Sequence, residues 1–280
     1  MQRPCKVNLS FVKNEGKYCV FSIPQTNEYQ EIKEFSINPK SERLVFDEWG
    51  NTIGIFSDNT EIDFLYSPKH LKKTIDEKWT ISDYKINKNV HFYLKTSRFV
   101  NGKDKMVKNL VQSLVKNEWN VSSLTKIFYD FTLTYLTYGK PTEGLYPYSQ
   151  AIQEKITDCG GYSTFLLSLF QSVGIPGRLV AGFVLNKDFS KKILSAFQVS
   201  RFTFHDFSMH AWPEILLPDS TWFPMDPSVE WKRTHGKSKS QGGFGDISND
   251  RLVVSFGQDF KMRVNNEIYT IDLLQLPVYL

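Results

Sequence analysis

Residues 158–183 read DCGGYSTFLLSLFQSVGIPGRLVAGF. Tyr162, Phe165, Leu166, Leu169, Phe170 and Val173 recur at steps of three and four, the spacing of one face of a buried amphipathic helix. Gly174 fits the residue just past a helix end, and Pro176 bars continuation. Beyond it, RLVAGFVL (178–185) is an apolar run that reads as a strand. Cys159 then stands at a helix start, where unpaired N–H groups and the positive end of the helix dipole favour a thiolate. The same N–H groups could hold a developing oxyanion, and Gly160 and Gly161 have no side chains to obstruct a substrate. The competing reading is packing alone, since free cysteine is among the most buried residue types. Cys5 and Cys19, in strand-like surroundings, take that second reading.

Downstream, MHAWPEILL (209–217), TWFPMDP (221–227) and RLVVSFG (251–257) are further strand-like runs, the first two joined by a Pro218-Asp219-Ser220 turn. Upstream, residues 101–119 and 122–138 have helical periodicity. Met106, Leu110, Leu114 and Val115 share a face in the first. Leu124, Ile127, Phe128, Phe131 and Tyr135 share one in the second, with Ser122 or Ser123 as N-cap. The first hundred residues hold short strand-like segments: 6–14, 17–24, 31–39, 43–57 and 61–67. Within 43–57, Gly50-Asn51 is the expected hairpin turn. The charged stretch 67–78 is expected to be a loop or short helix. The fold class is α+β: a β-sandwich-like N-terminal domain at 1–100, followed by a domain at 101–280 that sets a helical lobe against an antiparallel sheet.

Of the 280 residues, 41% are hydrophobic and 15% aromatic, which supports a substantial core and argues against disorder. A net formal charge of +4 is too mild to call for nucleic acid. No apolar run approaches a membrane span, and the N-terminus shows no secretory apolar region. Three cysteines make neither a disulfide framework nor a zinc-type pair, so a reducing, cytoplasmic setting is expected. No cofactor, metal, nucleic-acid or membrane partner is expected; the expected partner is a peptide or protein substrate.

A thiol nucleophile needs a base, and the base needs an orienting group. Of five histidines, His70 and His235 lie in basic, solvent-facing stretches, and His91 lies in the strand-like NVHFYL. His210 opens HAWPEILL, where a strand start can present an imidazole to a neighbouring helix end; His205 is the reserve. Asp226 precedes Pro227, which holds it out of the α region at the end of the adjacent strand. The alternative for Asp226 is turn capping. The basic, Gly-rich stretch 232–245, with Lys232, Arg233, Lys237 and Lys239, reads as a solvated mobile loop, or else as a lid or a selector of acidic substrates.

Three blocks together resemble the transglutaminase-like, papain-like superfamily in its bacterial form: DCGGYSTFLLSLFQSVGIPGRLVAGF with its GIPxR turn, HAWPEILL as His-x-Trp-x-Glu, and TWFPMDPS ending in Asp-Pro. The resemblance runs from about 120 to 260 and extends to a β-rich domain before the core. It implies Cys159 as nucleophile, His210 as base and acid, and Asp226 as the orienting carboxylate. It implies acyl transfer on amides by a cysteine peptidase or amidase, or by a protein-glutamine transglutaminase. The different class of reading is a peptide-binding module without chemistry. Tyr138 and Gln153 both stand open as the second oxyanion donor. Gln171 replaces the arginine common before the GIP turn, which should alter helix-surface pairing and not chemistry.

Overall fold

The computed structural model describes residues 5–11, 18–41, 43–85, 88–139, 141–142, 144–185, 201–202 and 208–280. The chain forms two compact units, neither continuous in sequence: Met1–Leu71, Ala181–His210 and Asn249–Leu280 make one, and Lys72–Val180 with Ala211–Ser248 make the other.

In the first unit the strands are β1 (Cys5–Phe11), β2 (Cys19–Ile23), β3 (Gln30–Asn38), β4 (Arg43–Phe46), β5 (Thr52–Phe56) and β6 (Thr60–Pro68). The last, β6, shows the burial alternation of a strand with one covered face. By contrast, β2 is buried at all five positions because both its faces are covered. Cys19 and Phe21 join Val7, Phe64, Phe183 and Leu252 in one cluster, while Val20 joins Ile53, Phe260 and Met262 in another. Antiparallel pairing links β1 to β6, β3 to β6, β2 to β5 and β4 to β5. The β4–β5 turn is not the expected two-residue one. Phe46 pairs with Thr52, and the five residues between are organised by Asp47, whose carboxylate accepts from the Trp49 and Asn51 N–H groups at 3.0 and 2.8 Å.

After β7 (Leu71–Lys72), the second unit holds α1 (Lys88–Tyr93), α2 (Lys105–Leu114), α3 (Val121–Tyr135), β8 (Thr137–Tyr138), α4 (Tyr148–Glu154), β9 (Ile156–Thr157) and α5 (Cys159–Ser172). Next come β10 (Gly177–Val184), β11 (Arg201–Phe202), β12 (Ser208–Leu216), β13 (Trp222–Pro224), α6 (Pro227–Thr234), β14 (Asp246–Ile247), β15 (Arg251–Phe256), β16 (Phe260–Val264), β17 (Glu267–Ile271) and β18 (Val278–Tyr279). One four-stranded sheet runs β13-β12-β10-β15, and the boundary between the units falls inside β10 and inside β12.

Several local expectations are corrected. His91 lies in α1, not a strand, and is exposed. On α2 the buried residues are Val107 and Val111, while Leu110, Leu114 and Val115 pack partly buried against the same core and Met106 is exposed. The cap of α3 is Asn120, whose side chain accepts from the Ser123 N–H, and not Ser122 or Ser123. Residues 232–234 are the last turn of α6, not loop. The Pro218-Asp219-Ser220 turn between β12 and β13 is present, closed by the Leu217–Thr221 and Ser220–Leu217 backbone bonds.

Candidate active site

The N-cap of α5 is Asp158, which has an extended backbone and accepts from the Gly161 N–H at 3.1 Å; its other carboxylate oxygen accepts from the Thr142 N–H at 3.3 Å. The helix is buried at every position from Gly160 to Phe170, so it runs through the core and does not merely face it. Its polar side chains are satisfied internally: Thr164 donates to the Tyr146 carbonyl, and Ser163 to the Cys159 and Ala211 carbonyls. The two glycines after Cys159 serve packing, contrary to their reading as substrate clearance. A Cβ at Gly160 would sit 3.1 Å from both Asp158 Oδ1 and Leu145 Cδ1, and one at Gly161 would overlap Thr157. Gln171 bridges the helix to the preceding segment, accepting from the Gly102 N–H at 2.6 Å and donating to the Lys95 carbonyl at 2.9 Å.

Cys159 is partly exposed and forms no disulfide. Burial pushes its thiol up to about 11, and the charges of Asp158 and Asp226 push the same way. The Ala211 backbone N–H and the Lys232 ammonium act on the sulfur in the opposite direction. The helix start alone predicts a thiolate; the desolvated sulfur and the carboxylate that caps the same helix reverse the sign. Cys19 is a buried core thiol, pushed up to about 12 by desolvation.

Ala211 follows His210 directly in β12, so the strand whose N–H acts on the sulfur carries the candidate base one residue earlier. His210 is buried, and its carbonyl accepts from Gln275 Nε2 at 2.9 Å. The β12–β13 register pairs Glu214 with Pro224. Met225 continues that pairing by donating to the Pro213 carbonyl at 3.0 Å, and Asp226 then leaves the ladder, its N–H donating to the Gly243 carbonyl at 2.9 Å. Asp226 is fully buried and caps α6, accepting from the Val229 N–H at 3.1 Å and the Ser228 hydroxyl at 3.2 Å. The capping alternative for Asp226 is therefore realised, while its charge also reaches Cys159 and Tyr138.

Arg178 of the GIPxR turn and Glu214 of the His-x-Trp-x-Glu block are partners. Arg178 Nε and Nη2 both approach Glu214 Oε1, at 2.6 and 2.5 Å, and the guanidinium stacks 3.9 Å over the Trp222 ring. The two residues bind adjacent strands of the sheet together. Tyr138 is half-buried in β8, pairs with Thr157 of β9, and lies near enough to Cys159, Asp158 and Asp226 for their charges, after burial, to raise its phenol. Gln153 is exposed on α4. His70 and His235 are exposed, His235 stacking on Trp231 at 3.9 Å; His205 lies outside the described residues. Among the described residues, no three His, Cys, Asp or Glu side chains gather as metal ligands, and no helix is long and apolar enough to cross a membrane.

Residues 108–227 match the family model of the transglutaminase-like superfamily, a span that contains Cys159, His210 and Asp226. Among solved structures, a candidate cysteine protease from Cytophaga hutchinsonii superposes with a TM-score of 0.59 at 14% identity, covering 91% of this chain and 82% of that one. That likeness is one of fold. The periplasmic domain of TgpA from Pseudomonas aeruginosa gives a TM-score of 0.42 at 10% identity, covering 85% of this chain and 87% of that one. No curated protein matches the sequence. The fold is thus α+β, with a strand-rich N-terminal part and a transglutaminase-like core.

Proposed function

From the transglutaminase-like core over residues 108–227, we propose that this protein is a thiol-dependent acyl-transfer enzyme acting on amide bonds, as a cysteine peptidase or amidase. The observation that carries the reading is the match of residues 108–227, a span holding Cys159, His210 and Asp226, to the transglutaminase-like superfamily model. In this reading Cys159 is the nucleophile, His210 the base and acid, and Asp226 the group that orients the imidazole. Because burial keeps the sulfur protonated, Cys159 enters as a thiol and His210 takes its proton as the sulfur attacks the carbonyl carbon. The C–N bond then breaks, the amine leaves with that proton, and a thioester remains. Water attacks the thioester, His210 removes its proton and returns it to the departing sulfur, and a carboxylic acid is released. In this reading Tyr138, half-buried and near enough to Cys159 for their charges to interact, is favoured over the exposed Gln153 as the oxyanion donor.

Incubation with a peptide library in ¹⁸O-labelled water, with and without an added primary amine, tests the reading by mass spectrometry. Hydrolysis places the heavy oxygen in the new carboxyl group. Cys159→Ala and His210→Ala should each lower turnover by about 10⁴-fold or more with the fold intact. Asp226→Asn keeps an oxygen for the Val229 N–H and should retain partial activity. Turnover undiminished in Cys159→Ala would end the proposal, and amine incorporation in place of ¹⁸O would make the protein a transglutaminase. The cytoplasmic setting belongs to the same proposal and is checked by cell fractionation.

A further inference from the structure

We propose that Lys232 forms an anion-binding subsite beside Cys159, and that the enzyme takes acidic peptides, in which a carboxylate flanks the scissile amide. The inference rests on Cys159 being the nucleophile. The N-cap geometry at Asp226 sets α6 so that Trp231 is buried and Lys232 half-buried. The Lys232 ammonium lies 4.4 Å from the centroid of the Tyr138 ring. Tyr138 in turn pairs in β8–β9 with Thr157, two residues before Cys159, and its ring lies 6.2 Å from Tyr162 in the first turn of α5. The Trp231 ring lies 6.4 Å from Tyr138, with the Lys237 ammonium 4.8 Å from its centroid and His235 stacked on it. An aromatic platform thus runs from the first turn of the nucleophile helix to the end of α6, and two ammonium groups rest on it.

Neither ammonium has a counter-ion among the described residues. Segment 232–239 carries Lys232, Arg233, Lys237 and Lys239 and no acid. Glu230, just before it, is engaged with the Tyr129 hydroxyl at 2.5 Å. Ring faces hold a cation in place without neutralising it, and a half-buried cation lacking a partner is a site that a substrate carboxylate completes. The Lys232 charge is felt at the sulfur itself, where it favours the thiolate. A carboxylate seated on Lys232 would therefore lie next to the carbonyl under attack.

Two alkylating reagents of similar shape and different charge test this without knowledge of the substrate. Iodoacetamide is neutral and iodoacetate carries a carboxylate; in each case the sulfur displaces iodide and forms an S–CH₂ bond. The readout is the ratio of their rate constants at Cys159, resolved by peptide mapping. Any change in thiol acidity acts on both reagents and cancels in that ratio. Lys232→Gln should lower the iodoacetate-to-iodoacetamide ratio by roughly three- to ten-fold. Lys232→Arg should preserve it, and added salt should narrow the difference. A ratio unchanged in Lys232→Gln overturns the subsite while leaving the nucleophile in place. A Cys159 that reacts with neither reagent removes the enzyme reading, and the subsite with it. In the peptide library, wild type should favour Glu-containing members over their Gln counterparts, and Lys232→Gln should abolish that preference; equal cleavage of both by wild type refutes the substrate class.

Discussion

Cys159 sits between opposed fields, and their balance gives it a measurable signature. Desolvation, Asp158 and Asp226 hold the thiol protonated, against the Ala211 N–H and Lys232. Iodoacetamide should therefore react slowly with Cys159 at neutral pH and faster as pH rises toward about 11. Asp158→Asn keeps the carbonyl oxygen that caps α5 and deletes the charge, so its profile should shift to lower pH. A wild-type profile already level near neutrality would mean that a paired thiolate dominates. The same shift has a stability consequence. The folded-state value is raised above the unfolded one, so this contribution is fully present below about 9 and is lost as pH rises to about 11. Denaturant titrations of wild type and Cys159→Ser across that window should diverge, with wild type losing more; Cys19 and the buried tyrosines titrate in both and cancel. The position of Cys159 at a helix start was legible in the spacing of apolar residues after it. Its acidity was not, because the Ala211 N–H and the Lys232 ammonium reach the sulfur from elements 52 and 73 residues away in sequence (211 − 159 and 232 − 159).

Among the elements, the sequence blocks behave as pieces of one mechanical unit. Arg178 and Glu214 form an ion pair that is 12% and 1% exposed, between a strand following the nucleophile helix and the strand bearing His210. Removing one member takes the counter-charge from the other in a buried setting, so Glu214→Ala should lower unfolding free energy by about 3 kcal/mol or more. The double change Arg178→Met with Glu214→Leu should recover most of that loss. Equal destabilisation by the single and double changes in urea titrations would deny the coupling. At the start of α5, Gly161→Ala meets the side chain of Thr157, whose buried hydroxyl has no hydrogen-bond partner among the described residues. Overpacking there should cost about 1–3 kcal/mol. Thr157→Ala removes the obstructing atoms, so the double variant should lose less than the sum of the two singles. Strands β10 and β12 and helix α5 were readable from apolar runs closed by Gly and Pro. The deepest positions of α2, Val107 and Val111, and the Asn120 cap of α3 were not, since which apolar positions go deepest, and which of Asn120, Ser122 and Ser123 caps, depends on neighbours distant in sequence.

At the scale of the whole chain, the β-rich character of the first hundred residues follows from alternation and composition, whereas the membership of the compact units does not. Residues 1–71 share their unit with 181–210 and 249–280. In its core Val7, Leu9, Phe21, Phe64 and Tyr66 pack with Phe183, Leu252 and Val254. Longer-range polar contacts repeat the pattern: Ser22 donates to the Val254 carbonyl at 2.8 Å, and Gln30 both donates to the Val253 carbonyl at 2.9 Å and accepts from the Val253 N–H at 2.8 Å. Local patterning cannot show such pairings, because each joins residues more than 220 apart. They bear directly on the division at 100/101. A fragment of residues 101–280 keeps the Cys159 helix and the β12–β13 pair but loses every partner that residues 5–68 supply to β15 and to Phe183. Those apolar side chains would face water, and the buried carbonyls of Val253 and Val254 would lose their donors, at about 1–3 kcal/mol for each unsatisfied group. The fragment, expressed alone, should therefore bind the hydrophobic dye ANS strongly, lack a cooperative thermal transition, and show Cys159 alkylation at the rate of an ordinary exposed thiol. Co-expression with residues 1–100 as a separate chain should restore the transition and the suppressed neutral-pH reactivity together. A fragment that melted cooperatively on its own, with the Cys159 profile of the full chain, would establish 101–280 as an autonomous catalytic domain and reduce the long-range pairings to accessory contacts.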